Sequence, residues 1–410
     1  MVDRVAIIGG GPAGMMAAAT LAPHVHVDLY ERQRSVGRKF LVAGEGGLNL
    51  TNASEGNAHL AHYSPMELMK PVLERFGPED LRAWLSTLGV DTYVGSSGRV
   101  FPQRGLKPAE VLHRIREHLV DSGVHLHLNH AFVGFDARLH PLVEANGIRT
   151  ALAHPVFLFA LGGASWPVTG STGDWKEHFE PIGVTTVPFA ASNCGVEVAM
   201  PEALRIHAGK PLKNIRLSAG SFTVRGELTI TTHGLEGNAV YPTVPILREA
   251  LMCSRVGELV VDLKPDLTAE AIAEKLRSTR WLERPAALRL DRTAMAFFKA
   301  FTPKDRYLDG NCWAPDLKAV RVPITGLRPI AEAISTVGGI ALSEIAPDLS
   351  LARHPQLFVA GEMLDTDAPT GGYLLQGAFS MGHFAALGML RRMRSICSDR
   401  AGFGGRSSDR

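Results

Sequence analysis

No stretch of this 410-residue chain approaches the ~20 consecutive apolar residues that a bilayer-spanning helix needs, so helical membrane architectures are excluded. The opening, MVDRVAIIGGGPAG, interrupts its apolar stretch with glycines too early for a signal peptide, and the chain reads as cytoplasmic. Cysteine is scarce. Cys194, Cys253, Cys312 and Cys397 lie far apart, without a CxxC pair or metal-ligand spacing, which fits reduced core thiols and gives no metal site. Charge of one sign is lacking too: 43 Lys and Arg oppose 41 Asp and Glu, and a net charge of +2 demands neither an acidic nor a basic partner. No internal repeat is present. What remains is an ordinary globular composition, long enough for two or three domains with a large core.

The informative features lie at the two ends. RVAIIGGGPAGMMAAATLA reads as a buried strand, then G-x-G-x-x-G at Gly9, Gly11 and Gly14, then a small-residue helix. The first glycine allows a tight turn, the second lets a pyrophosphate approach the backbone, and the third lets helix and strand pack closely. The helix start adds free N–H groups and a positive dipole end. A second strand, VHVDLYE, ends in Glu31, 17 residues after Gly14, placed to hold a ribose hydroxyl.

After Glu31 comes RQRSVGRKFLVAGEGGLNLTN, a second glycine-rich, basic and polar loop where a nicotinamide dehydrogenase would enter its next βαβ unit. Arg38, Lys39, Gly44, Gly46, Gly47, Asn49 and Thr51 are fit to wrap a pyrophosphate and reach an isoalloxazine. Near the other end, LFVAGEMLDTDAPTGGYLLQGAFSMG reads as a strand, a Gly361-Glu362 turn, a Gly371-Gly372 pair and an apolar helix. Glu362 is placed to accept bonds from ribityl hydroxyls. The helix opening at GGYLLQGA aims its N–H groups at a flavin N1–C2=O, where charge develops on reduction. Both ends therefore build one FAD site.

The chain resembles the HI0933-like (YhiN-like) flavoproteins. The resemblance rests on IIGGGPAG, VGRKFLVAGEGGLNLTN, GRVFPQRGLKPAEVL, THGLEG, EAISTVGG and AGEMLDTDAPTGGYLLQGAFSMG, which together span nearly the whole chain. It implies an α/β fold with a glutathione-reductase-type (Rossmann-like) FAD-binding domain, an inserted antiparallel β-barrel and a small helical domain. Members of the family include a bile-acid ring reductase, dihydrouridine synthases of ribosomal RNA and an aminoacetone-type oxidase. The FAD-contacting set then extends to Pro12, Ala13, Arg32, Phe132, Gly162, Gly163, Asp365, Tyr373, Leu374 and Leu375.

The texture of the chain matches that architecture. Segments 65–89 and 107–123 have helical apolar spacing, VHLHLN and HAFVGFD read as short strands, and HPVFLFALGGASW as a buried strand ending in a Gly-Gly turn. Alternating segments such as NIRLSAGSFTVRGELTITTHG suit an antiparallel barrel. The expected domains are FAD-binding 1–188, barrel 189–250, helical insert 251–318, a return through the barrel at 319–334, FAD-binding again over 335–394, and a disordered tail 395–410.

Neither a second G-x-G-x-x-G on a strand–helix frame nor a CxxxxC redox pair occurs, so a dedicated NAD(P)H domain like that of the disulfide reductases is excluded. The expected protein is an FAD-dependent oxidoreductase to which NAD(P)H docks transiently as hydride donor. Its acceptor would be a C=C or C=N bond conjugated to a carbonyl; oxidase chemistry and a non-catalytic FAD-stabilised module are the alternatives. Four residues are catalytic candidates. His233 suits a proton donor or a structural role. Arg99 suits a substrate carbonyl or a phosphate or surface contact. Thr336, with Gly338 and Gly339, lies where the chain re-enters the FAD domain, and Tyr373 suits a proton donor or a lid on the ring. A small molecule is the expected substrate, with RNA as a second possibility. Residues 201–225 carry Arg205, Lys210, Lys213, Arg216 and Arg225 against Glu202, and residues 391–400 carry four arginines against Asp399.

Overall fold

The strand Arg4–Ile8 (β1) is buried along all but its first residue, as expected of a strand covered on both faces. It pairs in parallel with His26–Glu31 (β2) on one side and Phe157–Phe159 on the other. The computed structural model describes residues 4–42 and 47–404, without the side chains of 397–404. Gly46, Gly44 and the segment 405–410 lie outside the described residues.

The chain forms two units, 1–190 with 334–410, and 191–333. In the first, a six-stranded sheet runs in the order 350–351, 354–359, 157–159, β1, β2, 125–128, parallel except for its first pair. The helix Pro12–Leu21 (α1) follows β1 directly, with Pro12 in its first turn. Its small residues let the closing helix, Tyr373–Gly404, cross at backbone distance: a Cβ on Gly382 would strike the Ala13 carbonyl. The stretch 65–89 is two helices, Met66–Arg75 and Pro78–Thr87, the second starting on its own proline.

The second unit is built on a seven-stranded antiparallel sheet. Its two edge strands, Val320–Ile324 and Gly326–Leu327, are separated by Thr325 alone, so one bent segment forms both edges of the curled sheet. Leu217, Leu228, Leu259, Val261 and Val322 fill its interior together with Phe297, Phe298 and Trp313 from the helices.

Three expectations are corrected. A strand, Gly257–Asp262, falls inside the stretch assigned to the helical insert, because Leu259 and Val261 alternate into the core. The helix Val244–Ser254 occupies the end of the stretch assigned to the barrel. The chain from 395 is helical to Gly404, continuing the closing helix past the expected boundary.

Candidate functional site

One large cleft, enclosing about 1610 Å³ with its mouth, opens in the first unit, and residues of that unit alone line it. Its floor is the β1–α1 turn. Gly9 has φ +110° and a Cβ there would run into the Ala160 carbonyl, so this glycine is required by the protein's own packing. Gly11 differs. Its backbone is extended at φ −76°, and a Cβ would meet nothing within 4 Å. Neither conformation nor packing asks for glycine at position 11; the space above it is cleft.

Glu31, at the end of β2, lines the cleft beside this turn. Its Oε2 accepts the Gly10 N–H at 2.8 Å and its Oε1 accepts the Gln33 N–H at 2.8 Å. Burial pushes its pKa up, against the pull of those donors and of Arg32 and Arg38. Each carboxylate oxygen keeps a lone pair for a ribose hydroxyl. Arg32 is held by the loop that follows Gly163, donating to Thr172 Oγ1 at 3.0 Å with Asp174 beyond it at 3.4 Å.

The Gly-Arg-Lys segment is a short helix, Arg38–Val42, and not a loop. It carries Lys39 into an ion pair with Glu362 at 2.7 Å and a hydrogen bond to Ser165 Oγ at 2.6 Å. Glu362 Oε1 also accepts the Thr336 N–H at 2.9 Å. Lys39 thus holds Oε2 and the Thr336 backbone holds Oε1, the two oxygens expected to face ribityl hydroxyls.

At the far end stands the start of the closing helix. Tyr373, Leu374 and Leu375 line the cleft, and the first-turn N–H groups there have no intrahelical acceptor. A Cβ on Gly372 (φ +103°) would strike the Thr51 backbone, so this start rests directly on the strand Thr51–Asn52. Asn52 Nδ2 donates to the Gly371 carbonyl at 3.3 Å.

Of the expected residues, Gly9, Gly11, Pro12, Ala13, Glu31, Arg32, Arg38, Lys39, Phe132, Gly162, Thr336, Gly361, Glu362, Tyr373, Leu374 and Leu375 line this one cleft. Other expected residues of this unit do not line it. Gly14 lets α1 pack against the Gly9 carbonyl, and Gly163 sits against Thr336 and Glu362. Asp365 accepts the Gly338 N–H at 2.8 Å and so fixes a backbone turn. Asn49 and Thr51 are not among the lining residues, and Asn49 Oδ1 and Thr51 Oγ1 are buried without a partner. Gly47 lies against the Phe101 ring. Arg99 is half-buried beside Gly371, where a Cβ would lie 3.5 Å from its Nε. His233 belongs to the second unit, with an exposed ring.

Sequence reasoning missed several residues. Trp175 donates its indole N–H to the Gly162 carbonyl at 2.9 Å, and Ser171 Oγ donates to the Gly163 carbonyl at 3.0 Å, together pinning the turn after the strand Phe157–Phe159. It also missed Ser54, His59 and Tyr63, which surround Tyr373. The available signal was composition: SEGNAHLAHYS packs two histidines and a tyrosine into one polar stretch.

A family model described as the HI0933-like protein Rossmann domain matches residues 3–388. The chain belongs to the HI0933-like family. Among its curated relatives is the 3-dehydro-bile acid delta(4,6)-reductase of Clostridium scindens, 25% identical, the match covering 94% of this chain and 98% of that one. Another is the ribosomal RNA dihydrouridine synthase of Escherichia coli, also 25% identical, over 91% and 94% of the two chains. Among solved structures, the 3-ketosteroid delta1-dehydrogenase of Sterolibacterium denitrificans covers 95% of this chain and 100% of its own, with a TM-score of 0.54 and 12% identity, a likeness of fold. This member of the HI0933-like family thus has a Rossmann-like, FAD-binding type of fold. No helix among the described residues is long and apolar enough to cross a membrane.

Proposed function

We propose that this chain is an FAD-dependent oxidoreductase acting on a C=C or C=N bond conjugated to a carbonyl, with NAD(P)H as transient donor. The observation that carries the reading is the empty space over Gly11, on the same cleft as Glu31 and the start of the closing helix. The residues fit the cofactor. Gly11 and the start of α1 would hold the pyrophosphate, Glu31 the adenosine ribose, and the N–H groups at Tyr373–Leu375 the flavin carbonyl edge. Bound FAD supplies hydride chemistry at N5. The chain's own work is to orient the acceptor, exclude water and place a proton. Reduction of a conjugated ring also agrees with the activity named for the bile-acid relative.

The purified protein should carry the yellow absorbance of oxidised flavin. After anaerobic photoreduction, conjugated enones should restore that absorbance much faster than oxygen does. A protein that stays colourless with added FAD ends this reading, rapid reoxidation by oxygen alone makes the protein an oxidase, and indifference to every acceptor leaves an FAD-stabilised module.

The second reading is a uridine of ribosomal RNA, whose ring double bond is likewise conjugated to a carbonyl. The name of the Escherichia coli relative favours it, as do Lys210 and Lys213, both exposed on the second unit. Lys210→Glu with Lys213→Glu should abolish reduction of RNA and leave FAD bound and reducible. A deletion strain with unchanged dihydrouridine in its ribosomal RNA removes this reading.

A further inference from the structure

Four side chains at the start of the closing helix form a closed hydrogen-bond circuit. Tyr373 Oη lies 3.0 Å from Ser54 Oγ, which lies 3.0 Å from His59 Nδ1. On the other side of the imidazole, His59 Nε2 lies 3.3 Å from Tyr63 Oη, and Tyr63 Oη donates to the Tyr373 carbonyl at 2.8 Å. His59, Tyr63 and Tyr373 are 3%, 5% and 6% exposed, so none of these groups is satisfied by bulk water.

One arrangement puts a proton in every gap. The Tyr373 carbonyl can only accept, so the single Tyr63 hydroxyl proton points to it. Tyr63 Oη must then accept from His59 Nε2–H. Burial, with His62 nearby, lowers the His59 pKa to about 4, so at neutral pH the ring is neutral and its Nδ1 is an acceptor. Ser54 Oγ–H fills that gap, and Tyr373 Oη–H donates to Ser54. The line Tyr373 → Ser54 → His59 is therefore polarised in one direction, and its outer end, Tyr373, is a cleft-lining residue.

We propose that this line delivers the proton that accompanies hydride transfer: the proton enters at His59 and leaves from Tyr373 Oη. The proposal rests on the functional reading above. The balance is simple. The double bond gains a hydride at one carbon and, at the other, the Tyr373 proton; Tyr373 takes the Ser54 proton, and Ser54 takes that of His59 Nδ1. His59 begins the cycle protonated and ends it neutral, with the proton on Nε2 as in the arrangement deduced above. Negative charge arriving in the cleft when the cofactor is reduced raises the affinity of His59 for a proton. The exposed His62, whose ring is 4.2 Å from that of Tyr373, marks the solvent side. His62, Tyr63 and Tyr373 are the titratable groups facing His59. Tyr373 itself stays protonated at neutral pH, since burial raises its pKa while Ser54 lowers it only in part. Ser54 and His59 act through Tyr373 and are positioning residues.

The test uses holoprotein with nitrogen-15-labelled histidine. In the oxidised state, NMR should show His59 neutral with its proton on Nε2. Ser54→Ala should release the hydrogen bond at Nδ1, and reduction should shift the His59 titration upward. In turnover with cyclohexenone or a conjugated keto bile acid, Tyr373→Phe should slow acceptor reduction by about 10²–10⁴-fold, the range of a lost general acid. Ser54→Ala should lower kcat and not raise KM, with Ser54→Thr restoring it. A proton on His59 Nδ1 in the oxidised protein, or enone reduction by Tyr373→Phe at the wild-type rate, overturns the line while the oxidoreductase reading stands. A wild-type holoprotein that reduces no conjugated acceptor overturns both, and the NMR result then describes a structural circuit alone.

Discussion

Two alanine substitutions in one turn should separate folding from cofactor binding. At Gly9, φ is +110° and the added Cβ would run into the Ala160 carbonyl and lie 2.7 Å from its carbon. The strain of a side chain at such a φ is of order 1–3 kcal/mol, and displacement of the neighbouring sheet strand adds to it. At Gly11 the backbone is extended and nothing lies within 4 Å, so Gly11→Ala has no clash to relieve. There the loss of a glycine N-cap and the reduced freedom of the unfolded chain oppose each other at tenths of a kcal/mol. The same methyl, however, stands where a pyrophosphate must approach. Overpacking of about 1–3 kcal/mol translates into roughly 5- to 150-fold weaker FAD binding. Thermal unfolding of the apoproteins and titration of each with FAD read the two effects separately. Gly9→Ala should lower the apoprotein Tm, whereas Gly11→Ala should leave it in place and weaken FAD. Wild-type FAD affinity in Gly11→Ala, or an unchanged Tm in Gly9→Ala, refutes the reasoning.

The Lys39–Glu362 pair is about three-quarters buried, with side chains 26% and 22% exposed. Lys39→Met should cost about 1–2 kcal/mol in denaturant unfolding, below the full ~1.5–3 of a charged hydrogen bond because water still reaches the pair. Glu362→Gln in that background should recover part of the loss; strictly additive costs refute the coupling. Asp28 gives a pH signature. Burial alone would raise its pKa, but hydrogen bonds from His154, His127 and Arg4 outweigh burial and hold it at about 2, below the ordinary 3.8. A depressed carboxylate stabilises the fold above its unfolded pKa and loses that stability as pH falls through the folded one. The advantage of wild type over Asp28→Asn, on the order of 2 kcal/mol at neutral pH, should therefore shrink between about pH 4 and pH 2. A gap that stays constant across that window contradicts the assignment.

The parts of the site legible in sequence are those whose physics is local. Gly9, Gly11 and Gly14 announce themselves because turn, approach and packing each act within a few residues of chain, and Glu31 follows from strand length. The closing helix start is legible for the same reason. Lys39–Glu362 is not, since 323 residues separate the partners and neither position alone shows which charge it meets. The Ser54–His59–Tyr63–Tyr373 circuit joins positions 310 and 319 residues apart, and its polarity depends on one backbone carbonyl and on burial. Composition could flag the histidines, but not which of their nitrogens accepts. The strand Gly257–Asp262 was readable from its alternation and was masked by the helices on either side.

The charge count over 201–225 shows how a correct tally can overstate a binding surface. Arg205 pairs with Glu202 inside the window, but Arg225 pairs at 2.7 Å with Asp266, which the window omits. Arg216 also lies close enough to help lower the Asp266 pKa. Without those three arginines, Lys210 and Lys213 are the exposed cations of the stretch not paired with an acid among the described residues. Each phosphate neutralised on a single strand contributes a salt slope of roughly −0.7, so two lysines account for a slope of about −1.4. RNA held by this stretch should bind weakly and lose little affinity as salt is raised. A measured slope several times steeper would place the RNA-binding charge outside residues 201–225, and a slope near zero would leave the cleft to small molecules.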